Sequence, residues 1–364
     1  MTADSAEPVD VRSLRARLTD LAPAFDDWAT ANERLYRAHL TDGLPVVPPS
    51  QTRIATMLAG TDAVIRRPTI LPIPPGFATP TMWEAAACAV MAGCVPGALP
   101  LIVAALSAVT DPAFNLLGIQ TTTGAAAPLF IVNGPVAAAL EINAGHNVLG
   151  PGHRANATIG RALRLILQDV GLALPGSGDM ATQGHPGKYS WLVAENVAAS
   201  PWEPLHVTRG LGAQTSAVTA VGAVGNVEMV LPVTSPEALI TTIARSMTIG
   251  GNIGRLSFGA GEALVLLPPE CAHYLVRHGW SRSDLQRAVF AEAATPLAWL
   301  PEHASARIRA AREEAGLPPS DVVNAVRAPE SILIVVTGGV GHKATFVPTW
   351  AGGTAAVTRE VAPL

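Results

Sequence analysis

Lysine is almost missing from this sequence: 364 residues hold only Lys188 and Lys343, and the other 22 basic residues are arginines. Cysteine is scarce as well, and Cys88, Cys94 and Cys271 cannot all pair. No C-x-x-C spacing occurs, which argues against both a disulfide framework and a thiolate zinc site. Charged residues make up 14% of the chain with a net charge of −4, and no basic run carries interleaved aromatics, so nucleic acid is not expected as a partner. Long apolar runs are absent too. APLFIVNGPVAAALEI, from Ala127 to Ile142, meets Asn, Gly and Pro before reaching the roughly 18 to 20 residues that a membrane helix needs, so no membrane span is expected. The chain opens on Asp4, Glu7 and Asp10 in place of a basic region leading into an apolar one. No secretory signal is readable there, and a cytoplasmic setting is expected.

What is present is a composition 49% apolar, enough for a large buried core. Leu14, Leu18, Leu21, Phe25 and Trp28 recur at helical intervals, with Leu35 and Leu40 on a second segment, which predicts an N-terminal helical arm over 1–41. DGLPVVPPS and PTILPIPPGFATP then favour extended structure over helix. The compact body is expected to begin near Asp42.

Within that body the sequence repeats an order of elements. Leu129 to Val132 reads as a strand, followed by Pro135 and a helix; Leu264 to Leu267, Pro269 and a helix ending near Gly279 repeat the series. A second amphipathic helix follows in each copy, RANATIGRALRLILQDV in one and SRSDLQRAVFAEA in the other. SAVTAVGAVGNVEMVLPV, 216–233, then lines up with SILIVVTGGVGHKATFVPTW, 331–350, on a valine and glycine skeleton. These observations predict an α/β fold of two pseudo-two-fold-related halves, 42–215 and 216–364, from an internal duplication, with a ligand cleft between them. The first half alone carries GHNVLGPG and a long polar linker from Leu172 to Gly210. Linkers of that length are more often binding loops than neutral connections.

The segments DGLPVVPPS, AVMAGCVPGALPLIVAAL, RANATIGRALRLIL, GHPGKYSWLVAEN, SPWEPLHVTRG and GGVGHKATFVPTW resemble those of a widespread bacterial family, over most of residues 42–358. Members of that family are often encountered beside small proteins of the UGSC selenoprotein-like type. The resemblance implies thiol or selenol chemistry on a small molecule, with a UGSC-type protein as a possible partner. It assigns no catalytic residue.

Candidate residues therefore come from their chemistry. His146, His153 and His185, with His206, are the metal-binding alternative, although their spacing matches no helical ligand pair. An anion site is better grounded. If a helix starts at Asn156 as its cap, its free amides face the G-P-G turn, with Arg154, Thr158 and Arg161 beside them; the competing reading is an ordinary cap beside a solvated arginine face. Cys94 falls between two predicted helices, near a helix N-terminus that would lower its thiol pKa, with an ordinary buried cysteine as the competing reading, whereas Cys88 and Cys271 read as core residues. Lys188 and Lys343, each in a Gly-rich loop beside or near a histidine, suggest sites that need an ammonium; His342 joins Lys343 in a turn able to cradle an anion. Tyr189, Glu195, Asn196 and His206 complete the polar linker.

The favoured reading is an enzyme acting on a small anionic organic molecule, with carbon–heteroatom bond cleavage or formation of lyase or reductase type. Cys94 or Lys188 would react, Glu195 or His206 would move protons, and Arg154, Asn156, Thr158, Arg161, Tyr189, Asn196, His342 and Lys343 would bind. The alternatives are a metal-dependent hydrolase or lyase using the histidines, and a non-catalytic subunit that binds a ligand or a partner. No nucleotide, flavin or Ser-His-Asp signature stands out, so the cofactor is unassigned; a homo-oligomer is expected.

Overall fold

The computed structural model describes residues 10–59, 70–248 and 261–363. The first nine residues of the expected arm, residues 68–69 of the second proline-rich stretch and residues 249–260 and 364 of the expected second half lie outside them. The chain is an α/β protein, as its periodicities predict. The N-terminal helices α1 (Leu14–Leu21) and α2 (Trp28–Arg37) are capped by Ser13 and Asp27, whose side chains accept amide hydrogen bonds. They do not stand off as a detached arm: Leu14, Leu18, Leu35 and Leu40 are sunk in the same core as the helices that follow. Trp28, read from its spacing as apolar-face, is more than half exposed.

That core is built by α3 (Gln51–Leu58), α4 (Met82–Ala92), α5 (Leu99–Val109) and the short α6 (Leu116–Thr121), α7 (Pro135–Ala139) and long α8 (Arg154–Asp169) around it. A Thr81/Glu84 capping box starts α4, and Gly93 ends it in the left-handed region at φ 87°, where an L side chain would be strained. No single described helix is long and apolar enough to cross a membrane; the apolar pair Pro96–Val109 and Pro112–Thr121 is bent by 67°. The stripe Ile159, Leu163, Ile166 and Val170 seats α8 as its period predicts.

Two four-stranded sheets lie at the centre. The first orders β10-β3-β1-β2 and the second β4-β9-β5-β8, from β1 (Ala127–Asn133), β2 (Leu192–Ala194), β3 (Ala217–Ala223), β4 (Val227–Val230), β5 (Ala263–Leu267), β8 (Ile332–Val336), β9 (Lys343–Pro348) and β10 (Val357–Glu360). Side chains alternate between faces. Leu129, Ile131, Val193 and Val221 from the first sheet meet Leu264, Leu266, Val335 and Val347 from the second in a dry layer. Phe130, Val132 and Val218 turn outward onto α4, α5 and α8. On the far side, Val265, Ile334 and Phe346 bury against α10 (Pro236–Met247), α11 (Pro269–Arg277) and α12 (Arg282–Glu292). The layers run helix, sheet, sheet, helix. Between β2 and β3 lies the one-turn helix α9 (Leu205–Thr208), and a satellite of α13 (Glu302–Glu314) and the short pair β6 (Ala294–Pro296) and β7 (Val322–Asn324) hangs from the second sheet.

The sheets share one pattern. In each, two parallel strands (β1 with β2, β5 with β8) are followed by an antiparallel neighbour (β3, β9), and an outer strand is supplied from across the boundary: β4 follows β3 in the chain but pairs with β9, while β10 follows β9 but pairs with β3. The alignment of 216–233 with 331–350 is corrected by this. It equates β3, the antiparallel partner of β1, with β8, the parallel partner of β5. The positional counterpart of β8 is β2, hidden inside the polar linker, and that of β3 is β9. A valine and glycine skeleton marks any strand running into a turn, whatever its neighbours. The division expected at 215/216 likewise falls between β2 and β3, members of one sheet.

Candidate functional site

The start of α8 is where the anion reading meets the coordinates. The helix begins at Arg154 with His153 as its N-cap, so Asn156 lies inside the first turn. Asn156 is buried and faces inward: its Oδ1 accepts from the Asn143 amide at 2.8 Å, and its Nδ2 donates to the Asn143 and Leu192 carbonyls at 3.1 and 3.0 Å. Arg154 reaches back to the Gly93 carbonyl at 3.1 and 2.8 Å, completing the end of α4. Thr158 donates to the Arg154 carbonyl. Arg161 grips both oxygens of Asp42 at 2.7 Å and also donates to the Leu44 and Pro45 carbonyls. Of the four groups expected to surround an anion, Arg154, Asn156 and Arg161 thus join α8 to α4, to β2 and to the N-terminal segment, and Thr158 is bonded within the helix.

Cys94 does sit between helices, but its surroundings reverse the expected shift. Burial pushes its thiol up to about 12, against the Thr158 hydroxyl and the charges of Arg154 and Arg161. Desolvation is also the first cause at Cys88, raised well above its ordinary value, and at Cys271, raised to about 12. Burial thus works against the thiolate at all three. The metal alternative fares no better: His146 and His153 are exposed and His185 lies against Trp191 at 4.9 Å between ring centroids. Among the described residues no three His, Cys, Asp or Glu side chains group as metal ligands. The GGVGHK turn is already filled from within, since the Gly341 amide donates to Glu270 Oε2 at 2.8 Å, with His342 3.6 Å from the same carboxylate. Lys343 is exposed, 3.6 Å from Glu228.

Lys188 sits in different company from that expected. Its Nζ donates to both oxygens of Asp179, at 2.7 and 2.6 Å, and Arg164 of α8 donates to the same carboxylate at 3.3 Å. Asp179 is buried, and both cations are mostly covered. The triplet borders a cleft of about 1260 Å³ roofed by the α2 region and floored by α8 and the linker, with Arg17, Gln168, His185 and Tyr189 on its walls. Burial lowers the Lys188 pKa, opposed by Asp179 and assisted by the Arg164 charge. His185 is lowered as well, by burial first and by the Lys188 charge second, with the Ala125 backbone opposing. Its Nδ1 accepts from the Gly187 amide at 3.1 Å. The local reason for this geometry is Gly160: a Cβ there would stand 2.9 Å from the Trp191 nitrogen, so only glycine lets the linker cross α8 so closely. The sequence reading missed Asp179 and Arg164; an acid in GSGDMATQGHPGK opposite a lone lysine was the available signal.

Glu195, Asn196 and His206 do not line that cleft. Glu195 is buried at the end of β2, its Oε2 accepting from Asn133 Nδ2 at 2.6 Å and from the Leu205 amide at 2.7 Å. Burial raises its pKa, against the Leu205, Asn133, Arg282 and Val336 groups. Asn196 Oδ1 accepts from the Ala199 amide, and its own amide donates to the Val336 carbonyl, tying the two sheets together. His206 has no exposed surface; burial lowers its pKa, with the backbone of Ala213 and Gly212 opposing. The single cleft expected for Lys188, Glu195 and His206 is therefore two places. No family model, curated protein or solved structure matches the chain, so its function must be argued from these two places.

Proposed function

We propose that the protein is an enzyme of small organic anions, and that its site is the cleft bounded by Lys188, Asp179 and Arg164. The observation that carries this is one buried carboxylate held between two cations at the edge of a large cleft, which leaves a positive excess where a ligand enters. A carboxylate or phosphate on the ligand would compete with Asp179 for Arg164 through charge-assisted hydrogen bonds. Lys188, its pKa already lowered by burial, would then exchange a proton with the bound molecule, and His185 stands three residues away as a neutral partner. Proton exchange next to an anionic group suits lyase chemistry on a carbon–heteroatom bond. A thiol nucleophile is not part of this reading.

The test is calorimetric titration with inorganic phosphate, oxalate, malonate and lactate. At least one should bind, and Lys188→Met and Arg164→Met should each weaken it about tenfold or more without loss of the folded spectrum. Binding unchanged in both variants, or no binding by any of the four at millimolar concentration, would sink the cleft reading. Binding without turnover of any bound organic anion would make this a ligand-binding subunit instead.

A further inference from the structure

The ends of β1, β2 and β8 meet. Asn133 closes β1, Glu195 follows β2 and Thr337 follows β8, where its hydroxyl donates to the Ala194 carbonyl at 2.8 Å. Open α/β sheets bind ligands outside the carboxyl ends of their strands, because amides and side chains converge there. At this meeting point Arg282, the first residue of α12, brings Nη2 to 3.8 Å from Glu195 Oε1, and its guanidinium stands 5.8 Å from the Trp202 ring centroid.

Four polar atoms in this cluster are buried and find no hydrogen-bond partner among the described residues: Asn133 Oδ1, Glu195 Oε1, Arg282 Nε and Trp202 Nε1. The orientation of the Asn133 amide is set by its neighbour. Glu195 Oε2 takes a hydrogen bond from Asn133 Nδ2, so Oδ1 is the atom left over. A buried polar group left unpaired is destabilising, and four in one cluster are not expected of a stable interior unless something pairs with them.

The chemistry of the four atoms defines what can pair with them. Two are acceptors and two are donors. A metal ion would suit the two oxygens but meet the Arg282 charge; an anion would suit the two N–H groups but meet a carboxylate that has no exposed side-chain surface. A neutral oxygen bearing hydrogen meets both sides: a water molecule can donate to Glu195 and Asn133 and accept from Arg282 and Trp202, and a hydroxyl group, with its one hydrogen, can donate to Glu195 and accept from Arg282 and Trp202. We propose that Asn133, Glu195, Arg282 and Trp202 form a second binding site, separate from the Lys188 cleft, for the oxygen of a hydroxyl group or a water molecule. Arg282 and Trp202, both only partly buried, form its outer wall, while Asn133 and Glu195 form its floor.

Crystals of the full chain grown without alcohols, with data to about 1.6 Å, test this, since discrete solvent is visible at that level. Density is expected within about 3.2 Å of at least three of the four atoms. A second data set from crystals soaked in ethylene glycol separates the sources: density unchanged in shape identifies water as the occupant, and density extended toward Arg282 identifies a site open to hydroxyl compounds. Both support the proposal. No density there, with Arg282 closed on Glu195 as a two-point ion pair, overturns it. In solution, oxygen-17 relaxation dispersion should register the loss of one long-lived water in Asn133→Leu; an unchanged signal from a folded variant overturns it equally, and if that variant does not fold the crystallographic outcome decides.

Discussion

Asp169 shows what burial does to a single charge in this protein. Its carboxyl is pushed up to about 7 by burial, against the charge of Arg17 and the hydrogen bond from Gln168 at 3.2 Å. Arg17 donates to the main-chain carbonyl of Asp169 and leaves Oδ2 without a partner among the described residues. An unfolded aspartate releases its proton near pH 3.9, so between about pH 4 and 7 the folded chain holds a proton that the unfolded chain has lost. Stability from this residue is therefore lost as pH rises through that window and is constant above it, by at most about 4 kcal/mol. Urea unfolding of Asp169→Asn should show a flatter profile than the parent from pH 4.5 to 7, and parallel profiles would contradict the burial argument. Cys94 teaches the same lesson. Its place between helices was legible in sequence and burial was the competing reading there, but only the fold shows the depth that decides the sign of its pKa shift.

Among the elements, α8 joins most of the molecule's parts. Its hydrophobic stripe was readable from a 3.6-residue period, but its start was not, because Asn156 looks like a cap and instead turns inward to hold Asn143 and Leu192. Arg161 ties the N-terminal segment to it through a carboxylate only 4% exposed. Removing one partner of such a pair strands the other, so Asp42→Ala should cost about 3–5 kcal/mol in denaturant unfolding. The double variant Asp42→Leu with Arg161→Met should recover much of that loss, because two apolar side chains leave no uncompensated charge. A cost below about 1 kcal/mol for Asp42→Ala would mean that the pair behaves as a surface bridge.

Across the whole molecule, the outer strand of each sheet follows in the chain a strand of the other sheet, and β10 covers the edge of β3 near the end of the chain. Val357 and Val361 are buried there and Arg359 pairs with Asp111. A chain stopped after Thr354 would expose the β3 edge as a template for strand pairing. Size-exclusion chromatography should find it aggregated or retained as soluble oligomers; a monodisperse, fully stable shortened chain would show β10 to be dispensable.

Period and composition were enough for the α/β class, for α8, α11 and α12, and for the central strands β1 and β5, because a 3.6- or 2-residue repeat is written into consecutive positions. Lys188 could be singled out by rarity alone. Which strand lies beside which, that β2 hides in a polar linker, that Asp179 and Arg164 meet Lys188, and that Glu195 belongs with Arg282 instead were settled by the fold. Those are contacts between residues far apart in the chain, and strand pairing, desolvation and ion pairing depend on the distance through space, which no local pattern encodes.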